Sequence, residues 1–421
     1  MKKSNMRIPI VFATDENYIF YTCVAITSLA VNAASGSQYD IYILAGEKFS
    51  NGNLFSKVER KFANISIQVI RVNAEAVQSV VINNSHVTKT AFYRLLLCDL
   101  LDVEKCIYLD SDIIVTEDLQ ALYSVNLDNY YVAGCRDIWI DLLPEEKREE
   151  RRERTGLLSM DGYINSGVLL MNLKKIKEDS IDKMFMQHIN IDYLYEDQDI
   201  INVCCYGKII HLPAKWNIFT LFLGQLEEMR SKDIDEMVLN AFKEKEGIIH
   251  YATPFIRPWE CSLYRANDIW WDMAAVWEEE ACYQELYQKV YGREKQERWS
   301  YWLDKCSTYK KVVIFGFTVY GREVCEWLLK GGLREKLFFC DNNSTKWEMM
   351  YKGIKVFPLK DINKNEVLFI NSSQRRSAEV VQELMGYGVK EDDILCYSRK
   401  KPNEYYQYLD DRYYLDELKD N

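Results

Sequence analysis

The chain has 421 residues, 48% of them apolar, enough to fill the cores of two domains or of one large and one small. Its formal net charge of -11 argues against a nucleic-acid binder, which needs a basic face for phosphates. No apolar stretch reaches the ~18 residues of a membrane span.

The start, Met1-Lys-Lys-Ser-Asn-Met-Arg7, is basic but lacks the long apolar run and cleavage site of a signal peptide. The 12 Cys form no CxxC pair and no zinc spacing, and Cys98, Cys106, Cys204, Cys205 and Cys340 sit in apolar runs. They read as reduced thiols in a cytosolic protein. Aromatic residues are 13% of the chain, which suits sugar-stacking pockets and equally suits an aromatic core.

In chain order, Ile8–Ala13 reads as a buried strand and Tyr18–Asn32 as a helix. Asp40–Leu44 and Ile67–Val72 read as strands around a helical stretch near Leu54–Phe62. Ala91–Leu101 reads as a helix leading into the strand Cys106–Leu109. This alternation predicts an α/β fold with a mostly parallel sheet, whose ligands bind at the carboxyl ends of strands. Both Thr14–Asn17 and Asp110-Ser111-Asp112 fall at such ends and are expected to share one cleft. A short apolar run, Ile113–Val115, follows at once.

Further strands are expected at Tyr131–Cys135, Ile164–Asn172, Lys208–Leu212 and Gly247–Tyr251, with a helix at Asp197–Tyr206. The charge run Glu145–Arg154 mixes signs. It reads as a solvated helix face laced by i,i+4 ion pairs, or as a lid over an acceptor. Trp/Tyr/Glu-rich helical spacing then leads to a second α/β alternation. Its strands are Lys310–Phe315, Leu337–Cys340, Gly353–Phe357, Glu366–Ile370 and Ile394–Tyr397, and its helices Tyr320–Leu329 and Arg375–Tyr387. The expected domains are 1–275, a helical linker at 276–309, a smaller Rossmann-like domain at 310–398 and a tail at 399–421, Tyr- and Asp-rich, expected to be poorly ordered or a short cap.

The most telling pattern is Asp110-Ser111-Asp112. Two carboxylates at the end of a buried strand repel each other unless a cation sits between them, and oxygen ligands suit Mg²⁺ or Mn²⁺. Asp also favours strand-end turns for its own backbone reasons, so the pair alone is ambiguous. Four more segments bear on it. Asp15, Asn17 and Tyr18 can read and stack on a uracil, although Asp15 also stands where a helix N-cap would. Arg94 lies in an apolar helix and needs an acidic or phosphate partner. Asn165-Ser166-Gly167 interrupts an apolar strand, which suits close approach of a ligand. His250 ends a strand, as a third metal ligand or as a core His with one hydrogen bond.

Together, Phe12-Ala-Thr-Asp-Glu-Asn-Tyr18, Thr90-Ala-Phe-Tyr-Arg94, Tyr108-Leu-Asp-Ser-Asp112, Asn165-Ser-Gly-Val-Leu-Leu-Met-Asn172, Asp197-Gln-Asp199 and His250-Tyr-Ala-Thr-Pro254 with Arg257-Pro-Trp259 resemble the family 8 glycosyltransferases. That group includes glycogenin and bacterial lipooligosaccharide galactosyl- and glucosyltransferases. The resemblance spans roughly residues 7–275 and implies a GT-A fold and retaining transfer of a hexose from UDP-glucose or UDP-galactose. It implies that Asp110, Asp112 and His250 ligate Mn²⁺ (or Mg²⁺) bridging the diphosphate. Ala13, Asp15, Asn17 and Tyr18 would hold the uridine. Arg94, Asp110, Asn165, Asp197 and Gln198 would contact the donor sugar, with Ser111 beside them, and Asp197 and Gln198 would be catalytic. Arg257 stands where the family has a phosphate-contacting Lys, one residue further along. Asp137 is a candidate acceptor contact.

The acceptor would be a glycan or lipid-linked saccharide of the bacterial surface, met in the cytoplasm or at the inner face of the membrane through peripheral contact. An autoglycosylating glycogen primer and a non-catalytic nucleotide-sugar-binding protein are the rival readings. In the second α/β segment, Gly316-Phe-Thr-Val-Tyr-Gly321 follows a strand and Asp341 closes the next one about 20 residues on, the dinucleotide-fold layout. Thr318 replaces its middle Gly, so both a structural or partner-binding role and nucleotide binding are open there.

Overall fold

The structure is a computed structural model that describes residues 7–50, 52–73, 77, 89–220, 236–253, 257–260, 267–291, 302–363, 366–373 and 377–396. The expected tail at 399–421, residues 292–301 of the expected linker and residues 254–256 of the segment that follows His250 lie outside the described residues. The chain divides into two compact units, Met1–Arg257 with Ile269–Glu278, and Pro258–Asp268 with Glu279–Asn421.

The first unit is built on a seven-stranded sheet. Its strands are β1 (Arg7–Ala13), β2 (Gln38–Gly46), β3 (Ile65–Val72), β4 (Cys106–Leu109), β6 (Val132–Arg136), β7 (Ile164–Met171) and β8 (Ile209–His211), in the order β3-β2-β1-β4-β7-β6-β8. β1 and β4 are central because five and four consecutive residues are buried in them, a pattern that only a strand covered on both faces can satisfy. The ladder is parallel from β3 to β4. β7 is antiparallel to both its neighbours, and β6 runs parallel to β8. Because β7 alone is reversed, its first residues rather than its last lie beside the end of β4: Asp110 N donates to Gly167 O at 2.8 Å.

Helix Ile19–Val31 follows β1 and is buried along most of its length. It lodges Thr22, Thr27 and Ser28 in apolar surroundings by returning each hydroxyl to a carbonyl of the preceding turn. The expected helix at Ala91–Leu101 is instead a 3-10 segment, Lys89–Leu96, followed by one α-turn, Leu97–Leu100. Phe92, Tyr93, Arg94 and Leu95 are all buried, and four consecutive buried side chains do not fit one face of an α-helix.

A second, three-stranded sheet is formed by β5 (Ile113–Val115), β9 (Ile218–Phe219) and β10 (Ile248–His250), in the order β5-β10-β9. Antiparallel pairing sets His250 opposite Ile113, and parallel pairing sets it beside Phe219. This small sheet delivers His250 to the residue next to Asp112.

The charge run forms helix Glu145–Thr155. Its ion pairs are i,i+3 (Lys147–Glu150, Arg152–Glu149) rather than i,i+4. The helix is docked: Arg151 is buried over the Tyr195 ring and donates to Tyr195 OH at 2.7 Å, and Arg148 pairs with Asp161. That is the solvated-face reading, with anchors a lid would lack.

The second unit holds a six-stranded sheet of β11 (Lys311–Phe315), β12 (Leu337–Cys340), β13 (Met350–Tyr351), β14 (Ile354–Phe357), β15 (Val367–Asn371) and β16 (Ile394–Cys396), in the order β13-β14-β12-β11-β15-β16. All pairs are parallel except the β13–β14 hairpin. Helix Val319–Lys330 leaves the end of β11, and Thr318 caps it through Gly321 N at 3.2 Å. Gly321 is required by packing, since a Cβ there would lie 2.0 Å from Gly316 O. The Asp341 carboxylate accepts from Phe317 N at 2.7 Å and from Asn343 N at 2.9 Å, and it pairs with buried Lys346. Those bonds occupy the group that a dinucleotide ribose would use, and they favour the structural or partner-binding reading of this segment.

Candidate functional site

At the carboxyl ends of β1 and β4, Ser111 joins the two strands. Its hydroxyl meets Thr22 Oγ1 at 2.9 Å and donates to Ala13 O at 3.2 Å, so it braces the loop and leaves only its backbone for any ligand. The flanking carboxylates converge with His250. Asp112 Oδ1 is 3.2 Å and Asp110 Oδ2 3.9 Å from His250 Nε2. One ligand atom from each of the three residues lies within 4.8 Å of the others. Asp112 and His250 are buried, whereas the Asp110 side chain is 25% exposed, so the cluster opens to solvent on that side.

The Gly167 backbone lies against this cluster. A Cβ at Gly167 would stand 2.3 Å from His250 Cε1 and 2.8 Å from Asp110 Oδ2, so the close approach expected at Asn165-Ser166-Gly167 is an approach to the His250 imidazole and the Asp110 carboxylate. Two carboxylates and an imidazole around such a cradle fit a divalent cation, Mn²⁺ better than Mg²⁺ because of the nitrogen donor.

Arg257 closes one flank. Its guanidinium donates to Asp112 Oδ2 at 2.9 Å, to Tyr18 OH at 2.9 Å and to Tyr251 O at 3.0 Å. Burial opposes ionisation of Asp112, but the Arg257 and His250 partners outweigh it and hold the carboxyl down at about 2. Through Arg257 the cluster is joined to the segment after β1. There Asp15 Oδ1 accepts from Asn17 N at 2.8 Å, forming an Asx turn before the helix. The helix itself starts after Tyr18 without a side-chain cap, so Asp15 is not its N-cap. Asn17 is exposed, and Ala13, Asp15 and Tyr18 are half-buried.

On the other flank, Arg94 has the partners its sequence context demanded. It is 4% exposed, lies over the Tyr108 ring and donates to Asp110 Oδ1 at 2.8 Å and to Ser166 O, with Asp197 Oδ2 3.1 Å away. Burial alone would lower its basicity, but Asp110 and Asp197 reverse that and raise it. Burial pushes the Asp197 carboxyl up to about 6, with Arg94 pulling it down and Asp110 adding to the rise.

Beside Asp197, Gln198 Oε1 accepts from Asn165 Nδ2 at 2.8 Å and from Ser166 N at 3.1 Å, while its Nε2 donates to Asp137 Oδ2 at 3.0 Å. Asp137 also caps the short helix Ile138–Asp141, just past the irregularity between Gly134 and Arg136 in the β6–β7 ladder. Its carboxylate is therefore wired to Gln198 and Asn165, the Nδ2 of Asn165 standing 3.3 Å away. Asp199 turns to Tyr163 OH and Tyr195 N and acts as a brace.

Two members went unseen in the sequence. Asn217 contacts both His250 Nδ1 (2.8 Å) and Asn165 Oδ1 (2.9 Å), and Phe219 stacks on the His250 ring at 5.5 Å. Both belong to a two-residue strand and the residue before it, which leave no periodic signal; Pro213-Ala-Lys-Trp216 ahead of them is the one local cue to a turn.

Among known proteins, the chain is 31% identical to a Haemophilus influenzae protein assigned as a glycosyltransferase, over 49% of this chain and 62% of that one. It is 26% identical to the lipopolysaccharide 1,2-glucosyltransferase of Escherichia coli, over 59% of this chain and 72% of that enzyme. The solved galactosyltransferase LgtC, in complex with donor and acceptor sugar analogs, superposes with a TM-score of 0.53 at 26% identity, covering 64% of this chain and 96% of LgtC. That likeness agrees with the GT-A architecture expected for the first unit. Residues 9–261, which contain the whole cluster, match the model of Glycosyl transferase family 8, and the chain belongs to that family.

Proposed function

We propose that the protein moves a hexose from UDP-glucose or UDP-galactose to a glycan or lipid-linked acceptor of a bacterial surface polysaccharide, with retention of configuration and with Mn²⁺ as cofactor. The observation that carries this is the convergence of Asp110, Asp112 and His250 within 4.8 Å, with Arg257 alongside. The relatives named above as glucosyl- and galactosyltransferases support the hexose. The reaction would take place on the cytoplasmic side, with peripheral membrane contact; no helix among the described residues is long and apolar enough to cross a membrane.

When bound, Mn²⁺ would supply positive charge to the diphosphate as UDP departs. Asp110, Asp112 and His250 would hold it. Arg257, placed between Asp112 and Tyr18, is positioned to turn from the carboxylate to a phosphate and stabilise the same developing charge. Ala13, Asp15, Asn17 and Tyr18 would seat the uridine.

Arg94, Asn165, Asp197 and Gln198 would seat the hexose. Gln198 is a weak nucleophile, and both ends of its amide are already bonded. This favours front-face attack, with the leaving phosphate oxygen accepting the proton of the acceptor hydroxyl and Asp197 stabilising positive charge on the sugar. Asp137, tied to Gln198, would meet the acceptor. A panel of UDP-sugars with Mn²⁺ or EDTA, read by UDP release, tests the reading. Release from UDP-glucose or UDP-galactose with Mn²⁺ alone supports it, and silence across the panel refutes it.

A further inference from the structure

The tautomer of a metal-facing histidine is set by what its other nitrogen meets. Here that setting can be followed back to two fixed backbone amides. Ser166 N donates to Gln198 Oε1, so that atom is the amide oxygen, and the Asn165 group facing it at 2.8 Å is the NH₂. Gly167 N donates to Asn165 Oδ1 at 2.9 Å, which fixes the same orientation independently. Asn217 Nδ2 must then face Asn165 Oδ1 as a donor, leaving Asn217 Oδ1 against His250 Nδ1 at 2.8 Å. An amide oxygen only accepts, so Nδ1 carries a hydrogen and Nε2 is the nitrogen left to ligate a cation held with Asp110 and Asp112.

We infer that Asn217 is a positioning residue. It fixes His250 as an Nε2 ligand, and it couples that ligand to the Asn165–Gln198 pair on the sugar side of the cleft. Asn217 is 2% exposed and has no route to substrate of its own, so it acts through these two neighbours. The proposal rests on the metal-site reading above.

The test compares the full-length wild type with N217A, N217D and H250A. Mn²⁺ affinity is measured from the electron paramagnetic resonance signal of free Mn²⁺, thermal unfolding is followed without metal, and kcat and KM are measured with UDP-glucose and UDP-galactose. H250A loses Mn²⁺ binding. N217A weakens it roughly 10- to 100-fold, as loss of a partner behind a metal-ligating histidine does. In N217D the carboxylate still accepts from Nδ1–H, so Mn²⁺ affinity stays within a few-fold of wild type. It cannot donate to Asn165 Oδ1, so kcat falls while Mn²⁺ binding holds. N217D is isosteric and keeps the test alive should N217A fail to fold. If H250A loses Mn²⁺ while N217A binds it like wild type, or if N217A and N217D lose it equally, the role assigned to Asn217 is wrong. If H250A binds Mn²⁺ like wild type, the metal site itself is misassigned and the proposal falls with it.

Discussion

Replacing Gly167 with Ala should dismantle the cation site with the smallest side chain available. The added Cβ would sit 2.3 Å from His250 Cε1, 2.8 Å from Asp110 Oδ2 and 3.0 Å from His250 Nδ1, whereas ordinary contact begins at 3.4 Å. The imidazole would have to retreat by about 1 Å, against a tolerance of roughly 0.2 Å in metal–ligand distances. Neither partner can yield cheaply. The ring is stacked on Phe219 and bonded to Asn217, and the β7 backbone is tied to Asp110 N through Gly167 O. Mn²⁺ affinity should fall by about 100-fold or more, with an overpacking cost of about 1–3 kcal/mol in stability.

Gly134→Ala is the control. Its Cβ would meet Ile164 Cδ1 at 2.8 Å and Leu169 Cδ2 at 3.1 Å, so it should lower stability while leaving Mn²⁺ affinity intact. Titration of both variants by electron paramagnetic resonance, beside thermal unfolding, reads the two effects separately. Wild-type Mn²⁺ affinity in a folded Gly167→Ala would refute the reasoning.

Arg94→Met should cost about 3–5 kcal/mol, because it strands the carboxylates of Asp110 and Asp197 without their buried counter-charge; chemical denaturation at neutral pH measures it. Asp197→Asn should stabilise the metal-free protein while abolishing transfer. The folded Asp197 value, about 6, lies above the unfolded ~3.9, so the stability this group contributes is present below pH ~4 and lost as pH rises through about 6. The advantage of the Asn variant should therefore grow between pH 4 and 6 and level off at about 3 kcal/mol; a pH-independent difference would contradict it. Arg257→Gln should act in opposite directions on two ligands: Mn²⁺ binds a few-fold more tightly without nucleotide, since Asp112 is released, whereas UDP-sugar affinity drops roughly 10- to 100-fold, the effect of losing a charge-assisted hydrogen bond, as calorimetry with each ligand would show.

The alternation of apolar strands and helices was legible because a strand buried on both faces, such as Ile8–Phe12, has few other readings. Asp110, Asp112, His250 and Arg94 were legible because charge in apolar surroundings demands a partner. Asn217 was not, since a neutral amide before a two-residue strand carries neither charge nor period, and only the pairing of β10 with β9 brings it to His250. Gly167 was noticed for its smallness, but what needs the space is the protein's own imidazole. Ser111 looked like a ligand-facing residue by its position between the aspartates. In the bend between β4 and β5 its hydroxyl instead meets Thr22 of the helix Ile19–Val31.

The pairing of β10 with β5 has a consequence for how the unit is held together. Asp112 and Arg257, its ion-pair partner just past β10, are 145 positions apart in sequence, and closing a segment of that length costs on the order of 4 kcal/mol in chain entropy. A cation shared by Asp110, Asp112 and His250 would act as a removable cross-link across that span, contributing about 2.7 kcal/mol when present at a hundred times its dissociation constant. Metal supply would then set how firmly the β5-β10-β9 sheet stays closed, so the cofactor would help to build the unit as well as serve its chemistry.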